Sequence, residues 1–120
     1  MMQIGDHAET TRSFNQADLD AFAALAGSRI GADTVPEPLI GAMFSYLLGV
    51  ELPGFGTNYL KQDMRFLAPA PLDTALTARV EITRLRPEKH LADLATTCRS
   101  ADGTLICEGR ALVLIQDVET

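Results

Sequence analysis

Length and charge narrow the class of protein first. The chain has 120 residues, of which 47% are hydrophobic, and a formal net charge of −6. This length suits one domain, which we expect to span residues 1–120. The acidic balance argues against nucleic acid or an anionic membrane as the main partner, because both need a basic footprint. The first residues lack the basic and apolar regions of a signal peptide, so we expect a cytoplasmic protein.

The first elements predicted along the chain are a short strand over residues 9–14 and an amphipathic helix after it. Asn15 has the side chain of an N-cap, and Gly27 suits the end of the helix. Between them an apolar stripe recurs at helical spacing: Leu19, Phe22, Ala23, Leu25 and Ala26. This pattern predicts a helix that lies with one side on the rest of the domain.

The most apolar stretch of the chain predicts a central helix over about residues 37–49. Only Ser45 and Tyr46 interrupt the apolar or small residues there, so we expect a helix that is buried all round. Glu37 and Pro38 suit its first turn, and Gly49 suits its end. Such a helix is about 18 Å long, which is too short to cross a bilayer.

In the rest of the chain, the spacing of the apolar residues changes from the period of a helix to the period of a strand. Residues 74–84 alternate strictly, with Leu76, Ala78, Val80 and Ile82 on one face. This alternation is typical of a half-buried antiparallel strand. Similar signals predict three more strands, over residues 58–67, 90–99 and 104–116. The order favours an α+β hot-dog fold, in which a curved antiparallel sheet wraps around the central apolar helix.

Two cysteines flank a turn signal at Asp102 and Gly103. If these two residues form a hairpin turn, Cys98 and Cys107 lie directly opposite one another. We expect two buried thiols rather than a disulfide in a cytosolic chain. The sequence has no CxxC motif and no Cys/His cluster, so no metal site is expected.

Four stretches of the chain together resemble the MaoC-like dehydratases, the family of the (R)-specific enoyl-CoA hydratases. They are residues 4–6, 23–27, 35–71 and 108–115. The most specific is LGVELPGFGTNYLKQDMRFLAPA, residues 48–70, which has the rhythm of the family's LGTELPGPGTIYLSQxLRFLAPV. The resemblance implies lyase chemistry of fatty acid metabolism on an acyl-CoA or acyl-carrier thioester, with no cofactor. It also implies a dimer, formed with a second copy or with another hot-dog subunit, in which two sheets join and the thioester enters at the interface.

The resemblance does not extend to the family's catalytic segment. Family members carry D-x-N-P-x-H after the first helix, and its Asp and His activate the water that adds to the enoyl double bond. Such chemistry needs an acid and a base within reach of one water. Here Gly27 is followed by SRIGADT, residues 28–34, without Asn-Pro or His. The segment is more than a dozen residues shorter than in the family.

Two carboxylates are candidate substitutes for the missing catalytic pair. Asp33 and Glu37 are expected near the mouth of the substrate tunnel, where two carboxylates can divide the roles of acid and base. The alternative is a solvated loop residue and a helix-start charge. The backbone N–H of Glu37 is also a candidate donor to the thioester oxygen, helped by the helix dipole. Pro38 has no N–H to donate.

Further candidates would bind the substrate. Ser45 and Tyr46 are the polar residues of the central helix and are candidate tunnel residues, unless backbone carbonyls satisfy them. Lys61 and Arg65, with Arg84 and Arg86, are candidate partners of coenzyme A phosphates. Solvated cations on strands and turns are the alternative.

Three functions therefore remain open from the sequence. The chain is a hydratase or dehydratase with an unusual site, a non-catalytic partner subunit of a heteromeric hydratase, or an acyl-CoA-binding protein or thioesterase of the same fold. The family resemblance favours hydratase chemistry, and the missing motif favours the partner subunit.

Overall fold

One antiparallel sheet carries two helices on the same side. The computed structural model describes residues 2–27 and 34–118. In chain order its elements are β1 (His7–Arg12), α1 (Gln16–Ala26), α2 (Glu37–Tyr46), a π-helical turn (Leu47–Glu51), β2 (Asn58–Phe66), β3 (Leu76–Arg86), a 3-10 turn (Pro87–Lys89), β4 (Leu91–Ser100) and β5 (Leu105–Leu114). The predicted α+β class is confirmed, and α2 is the predicted central helix. No helix of the described segments is long and apolar enough to cross a membrane.

The strands are ordered β1-β3-β4-β5-β2 across the sheet. The four strands β2 to β5 follow one another in the chain as predicted, and β2 pairs with β5 at the far edge of the sheet. The chain between β2 and β3 therefore crosses the sheet. This order leaves β1 and β2 as the two edge strands, and β2 is the edge that carries the more apolar side chains.

The core forms between α2 and the inward face of the sheet. The predicted alternation of β3 is confirmed, because Leu76, Ala78, Val80 and Ile82 are all fully buried. Ile40, Phe44 and Leu47 meet them from the helical side and are also fully buried. Each such side chain contributes about 1.5–3 kcal/mol by leaving water. This contact fixes which side of α2 faces the sheet.

The prediction of a central helix buried all round was wrong. Ala42, Ser45 and Tyr46 are exposed, and Tyr46 retains 49% of its accessible surface. The reason is geometric, because one sheet covers only one side of a helix. Small residues such as Ala42 on the other side count as apolar in the sequence although they are exposed in the structure. Gly49 does not end the helix either, because the backbone continues as a π-helical turn to Glu51.

Helix α1 has the predicted ends but not the predicted packing. Asn15 accepts from the Asp18 N–H, and the Asp18 carboxylate accepts from the Asn15 N–H, so both members of a capping box are present. Gly27 closes the helix in the left-handed conformation, with φ at 71°. Of the predicted stripe only Leu19 is buried, and Leu25 is 90% exposed. The helix therefore rests on the domain mainly through its first half.

The β4–β5 hairpin places Cys98 directly opposite Cys107, as predicted. Both cysteines are free thiols and fully buried. The turn is not the expected two-residue one: the Gly103 N–H donates to the Ser100 carbonyl at 2.9 Å, and Gly103 has a φ of 88°. A bulge next to Cys98 absorbs the extra residue and restores the register.

Candidate functional site

The N-terminus of α2 presents an unusually small set of hydrogen-bond donors. Pro36 and Pro38 have no N–H, and the Leu39 N–H donates to the Pro36 carbonyl at 3.0 Å. The Glu37 N–H has no acceptor among the described residues. Helix starts normally leave several N–H groups unpaired, whereas this one offers a single donor at the positive end of the helix dipole.

A cavity of about 350 Å³ lies at this helix end, between α2 and the end of β2. Its walls are polar and apolar in similar parts, and Glu37 is the one ionisable residue among the described residues that line it. These residues are Thr34, Val35, Glu37, Ile40, Phe66, Leu67, Ala68, Pro69 and Ala70. The Val35 N–H donates to the Ala70 carbonyl at 2.9 Å and holds the two walls together. We refer to this cavity as the mouth.

From the mouth, one flank of α2 runs along the inward face of β2. Glu37, Gly41 and Ser45 are four residues apart and so share this flank. Gly41 faces Met64, whose Cε lies 3.6 Å from the position of a Cβ built on the glycine. Ser45 lies next to Tyr59 and lowers the pKa of its phenol, against the larger effect of burial, which raises it. We call this strip between α2 and β2 the seam.

Gln62 also belongs to the seam and was not singled out from the sequence. It is in register with the fully buried Ala111, so its side chain shares the inward face with Tyr59 and Met64. Its Nε2 is buried and has no hydrogen-bond partner among the described residues. The signal in the sequence was the alternation of β2, which places a glutamine among inward apolar and aromatic residues.

Burial raises the pKa of the two thiols beneath the mouth. Cys107 is in register with Phe66, and desolvation raises its pKa to about 11, with a smaller contribution from the negative charge of Glu37. Burial likewise raises the pKa of Cys98 to about 11. Both side chains are therefore neutral thiols at physiological pH, and the carboxylates whose charge acts on Cys107 are those of Glu37 and Glu108.

The seam contains only some of the residues predicted for the site. Glu37 and Ser45 lie on it, whereas Tyr46 lines a second groove of about 480 Å³ between α1 and α2. Lys61 and Arg65 are exposed on the opposite, outward face of β2. Asp33 lies outside the described residues.

The remaining predicted cations and the histidines lie away from the seam. The Arg65 guanidinium is 2.7 Å from the Glu108 carboxylate, and Arg86 is 3.1 Å from Asp93. Arg84 is exposed on β3, and His7 and His90 are exposed as well. Within the described segments, no three His, Cys, Asp or Glu side chains are grouped to hold a metal ion.

The sheet order, the central helix and the mouth at its N-terminus define a class of protein, the hot-dog fold. Solved structures of the same fold include an R-hydratase from Aeromonas caviae, with a TM-score of 0.84 at 33% identity over 93% of this chain and 96% of that one. An R-hydratase from Pseudomonas aeruginosa gives a TM-score of 0.86 at 29% identity over 94% of this chain and 81% of that one.

Curated relatives narrow the class to a family. The chain is 33% identical to an (R)-specific enoyl-CoA hydratase of Aeromonas caviae, over 93% of this chain and 94% of the relative. It is 36% identical to a 3-hydroxybutyryl-CoA dehydratase of Methylorubrum extorquens, over 93% of this chain and 70% of the relative. No family model matches the chain. On these identities the chain belongs to the (R)-specific enoyl-CoA hydratase family.

The alignment with the Aeromonas caviae relative also contains gaps. It runs over 126 positions, more than the 120 residues of this chain, so the relative has residues that this chain lacks. In the sequence, the seven residues between Gly27 and Val35 include no histidine. The family is therefore shared, although the two chains differ in length within the aligned region.

Proposed function

We propose that this chain binds an acyl thioester in the seam, with the thioester oxygen on the Glu37 N–H and the acyl chain directed from the mouth towards Ser45. The observation that carries this proposal is the single unpaired donor at the positive end of α2, which lies at a cavity with both polar and apolar walls. A developing negative charge on the thioester oxygen is stabilised by such a fixed donor.

Hydration of a 2-enoyl thioester also needs proton transfer. The oxygen of water bonds to C3, the water loses a proton to a base, C2 gains a proton from an acid, and the thioester oxygen carries negative charge in between. Among the described residues of the mouth, Glu37 is the one group that can exchange a proton. Its carboxylate sits beside the same oxygen and opposes the developing charge. A second proton-transfer group therefore has to come from Asp33 or from another subunit.

We further propose that β2 is the edge at which two subunits join. It is an edge strand of nine residues, and its exposed apolar side chains are Tyr59, Leu60 and Met64. Leu67, which follows the strand directly, is also exposed. The opposite edge, β1, has six residues and exposes mainly polar ones. An unpaired apolar edge pairs readily with another strand. The partner is a second copy or another hot-dog subunit that supplies the missing catalytic group.

The assembly is tested by sedimentation of the purified chain and of Leu60→Lys. Leu60 is the bulged residue of β2 and is 53% exposed, so a lysine there leaves the core untouched. We expect a dimer for the parent and a larger dissociation constant for the variant. Leu25→Lys, on the exposed side of α1, is the matched control and should leave the dimer unchanged. Equal effects of the two lysines would contradict a β2 interface.

The catalytic part is tested by hydration of crotonyl-CoA, measured through loss of the conjugated thioester absorbance. General acid–base groups contribute about 10²–10⁴ in rate. We therefore expect the chain alone to turn over more slowly than the Aeromonas caviae hydratase by a factor in that range. A rate equal to that of the relative would show that Glu37 and residues 28–33 form a complete site. Structures named as a hypothetical thioesterase and a thioesterase superfamily member share this fold at 15% identity, and this likeness shows the fold alone.

A further inference from the structure

The unpaired amide of Gln62 indicates a polar ligand group in the seam. Buried side-chain amides are nearly always hydrogen-bonded in folded proteins. Here the Nε2 is buried, and no described residue accepts from it. Both neighbours on the inward face of β2 already have contacts on α2, since Tyr59 lies next to Ser45 and Met64 packs on Gly41. The partner of the amide is therefore missing from the packing of the described residues.

Register fixes where along the seam this amide lies. Phe66 lies at the mouth, and Met64 lies beside Gly41. Tyr59 lies beside Ser45. Since Gln62 comes between Tyr59 and Met64 on β2, it lies between the positions of Gly41 and Ser45 along α2. At about 1.5 Å per residue, this is roughly 6–12 Å along α2 from Glu37. A thioester oxygen on the Glu37 N–H therefore places Gln62 several carbon atoms further along the acyl chain.

The chemistry around Gln62 favours a neutral oxygen. The hydroxyls of Ser45 and Tyr59 lie on the same stretch, while Lys61 and Arg65 are on the outward face of β2. A carboxylate bound there would be buried without a cation, which is strongly unfavourable. A hydroxyl both donates and accepts, so it satisfies the amide whichever way its oxygen and nitrogen are turned.

We propose that the seam selects acyl thioesters that carry a hydroxyl group several carbons beyond the thioester, and that Gln62 binds this hydroxyl. The inference rests on the proposed function, because it assumes that the acyl chain follows the seam from the mouth. Met64 lies on that path. Its unbranched thioether faces a glycine rather than a bulky core side chain, so it adapts to a ligand with little disturbance of the core.

The test uses saturated thioesters, which are not hydrated, and isothermal titration calorimetry. The probes are 6-hydroxyhexanoyl-CoA and 8-hydroxyoctanoyl-CoA, each compared with hexanoyl-CoA or octanoyl-CoA. We expect at least one hydroxylated ligand to bind about tenfold more tightly than its plain counterpart, as one added hydrogen bond to a buried group allows. Gln62→Met, which keeps the length of the side chain, should abolish this preference. Gln3→Met, at an exposed glutamine, should retain it.

Each other outcome overturns a stated part of the account. Equal affinity of the parent for hydroxylated and plain ligands, or a preference that survives in Gln62→Met, overturns the role of Gln62. If Gln62→Met instead raises only the dimer dissociation constant, the amide serves the subunit interface and the inference is wrong. If the parent binds none of the four thioesters, the proposed function fails, and the inference fails with it.

Discussion

The hydroxyl of Ser45 on α2 lies next to the phenol of Tyr59 on the edge strand β2. Burial raises the pKa of Tyr59, and the neighbouring Ser45 hydroxyl lowers it in part because it stabilises the phenolate. The pair ties the far end of the seam together, where the acyl chain of a bound thioester would end.

The first prediction is that the Ser45 hydroxyl donates to the phenolate of Tyr59. Ser45→Ala removes the donor while burial remains, so the pKa of Tyr59 should rise further above its ordinary value. The measurement is a spectrophotometric titration of the phenolate in a Tyr46→Phe background, which leaves Tyr59 as the one tyrosine. Ser13→Ala, at an exposed serine before α1, is the control and should not move the titration. An unchanged pKa in Ser45→Ala would show that the two side chains are not bonded in solution.

The second prediction concerns the buried thiols. Burial raises the pKa of Cys98 and Cys107 to about 11 from an ordinary value near 9. The folded protein then holds two protons that the unfolded chain releases, so their contribution is complete below about pH 9 and is lost as the pH rises through about 11. Urea unfolding should show a free energy of unfolding that falls over this window, by on the order of 2 kcal/mol per thiol.

Removal of the thiols supplies the control for that measurement. In Cys98→Ala with Cys107→Ala, the loss between about pH 9 and 11 should be smaller, whatever the absolute stability of the variant. The same burial predicts that a thiol reagent does not label the native protein at neutral pH and labels it after unfolding. Rapid labelling of the folded chain would contradict the placement of both cysteines in the core.

The third prediction concerns a buried carboxylate on the outward side of the sheet. Asp93 on β4 is 3.1 Å from Arg86 and 3.5 Å from Arg110, and its side chain is 7% exposed. The longer contact is an ion pair without hydrogen-bond geometry, since Oδ1 has no hydrogen-bond partner among the described residues. Asp93→Ala leaves the partly buried Arg86 unpaired and should lower the free energy of unfolding by about 2 kcal/mol.

The matched variant for Asp93 is Arg110→Ala. Arg110 is 57% exposed, so its pair with Asp93 is screened by water and its loss should change stability by less than about 1 kcal/mol. Chemical denaturation at neutral pH measures the free energy of unfolding of Asp93→Ala and of Arg110→Ala, so the two losses can be compared. Equal losses would mean that Arg110, rather than Arg86, compensates the buried charge.

The sequence predicted the strands and the central helix because their periodicities are local. The pairing of Cys98 with Cys107 was right although the turn was not, since the bulge beside Cys98 compensates for the longer turn. The pairing of β2 with β5 depends on a long-range crossover, which no local pattern encodes. The exposed flank of α2 was missed because small residues such as Ala42 are equally common inside and outside.

The site was predictable to a similar extent. Glu37 and Ser45 were identified as candidates from their positions on the helix, and the structure places both on the seam. Tyr46 was paired with Ser45 because the two are adjacent in sequence, but neighbours on a helix point about 100° apart, and Tyr46 lines the other groove. Gln62 was overlooked because its significance depends on burial without a partner, which is a property of packing.

The most direct test of the central claim is the affinity of butyryl-CoA for the parent, Glu37→Gln and Glu37→Pro, measured by titration calorimetry. Glutamine keeps the backbone N–H, whereas proline removes it, and Pro36, with ψ at 138°, already has the conformation that precedes a proline. We predict that butyryl-CoA binds the parent and Glu37→Gln with similar affinity and binds folded Glu37→Pro about tenfold more weakly. Equal binding by all three proteins would contradict a thioester held on the Glu37 N–H.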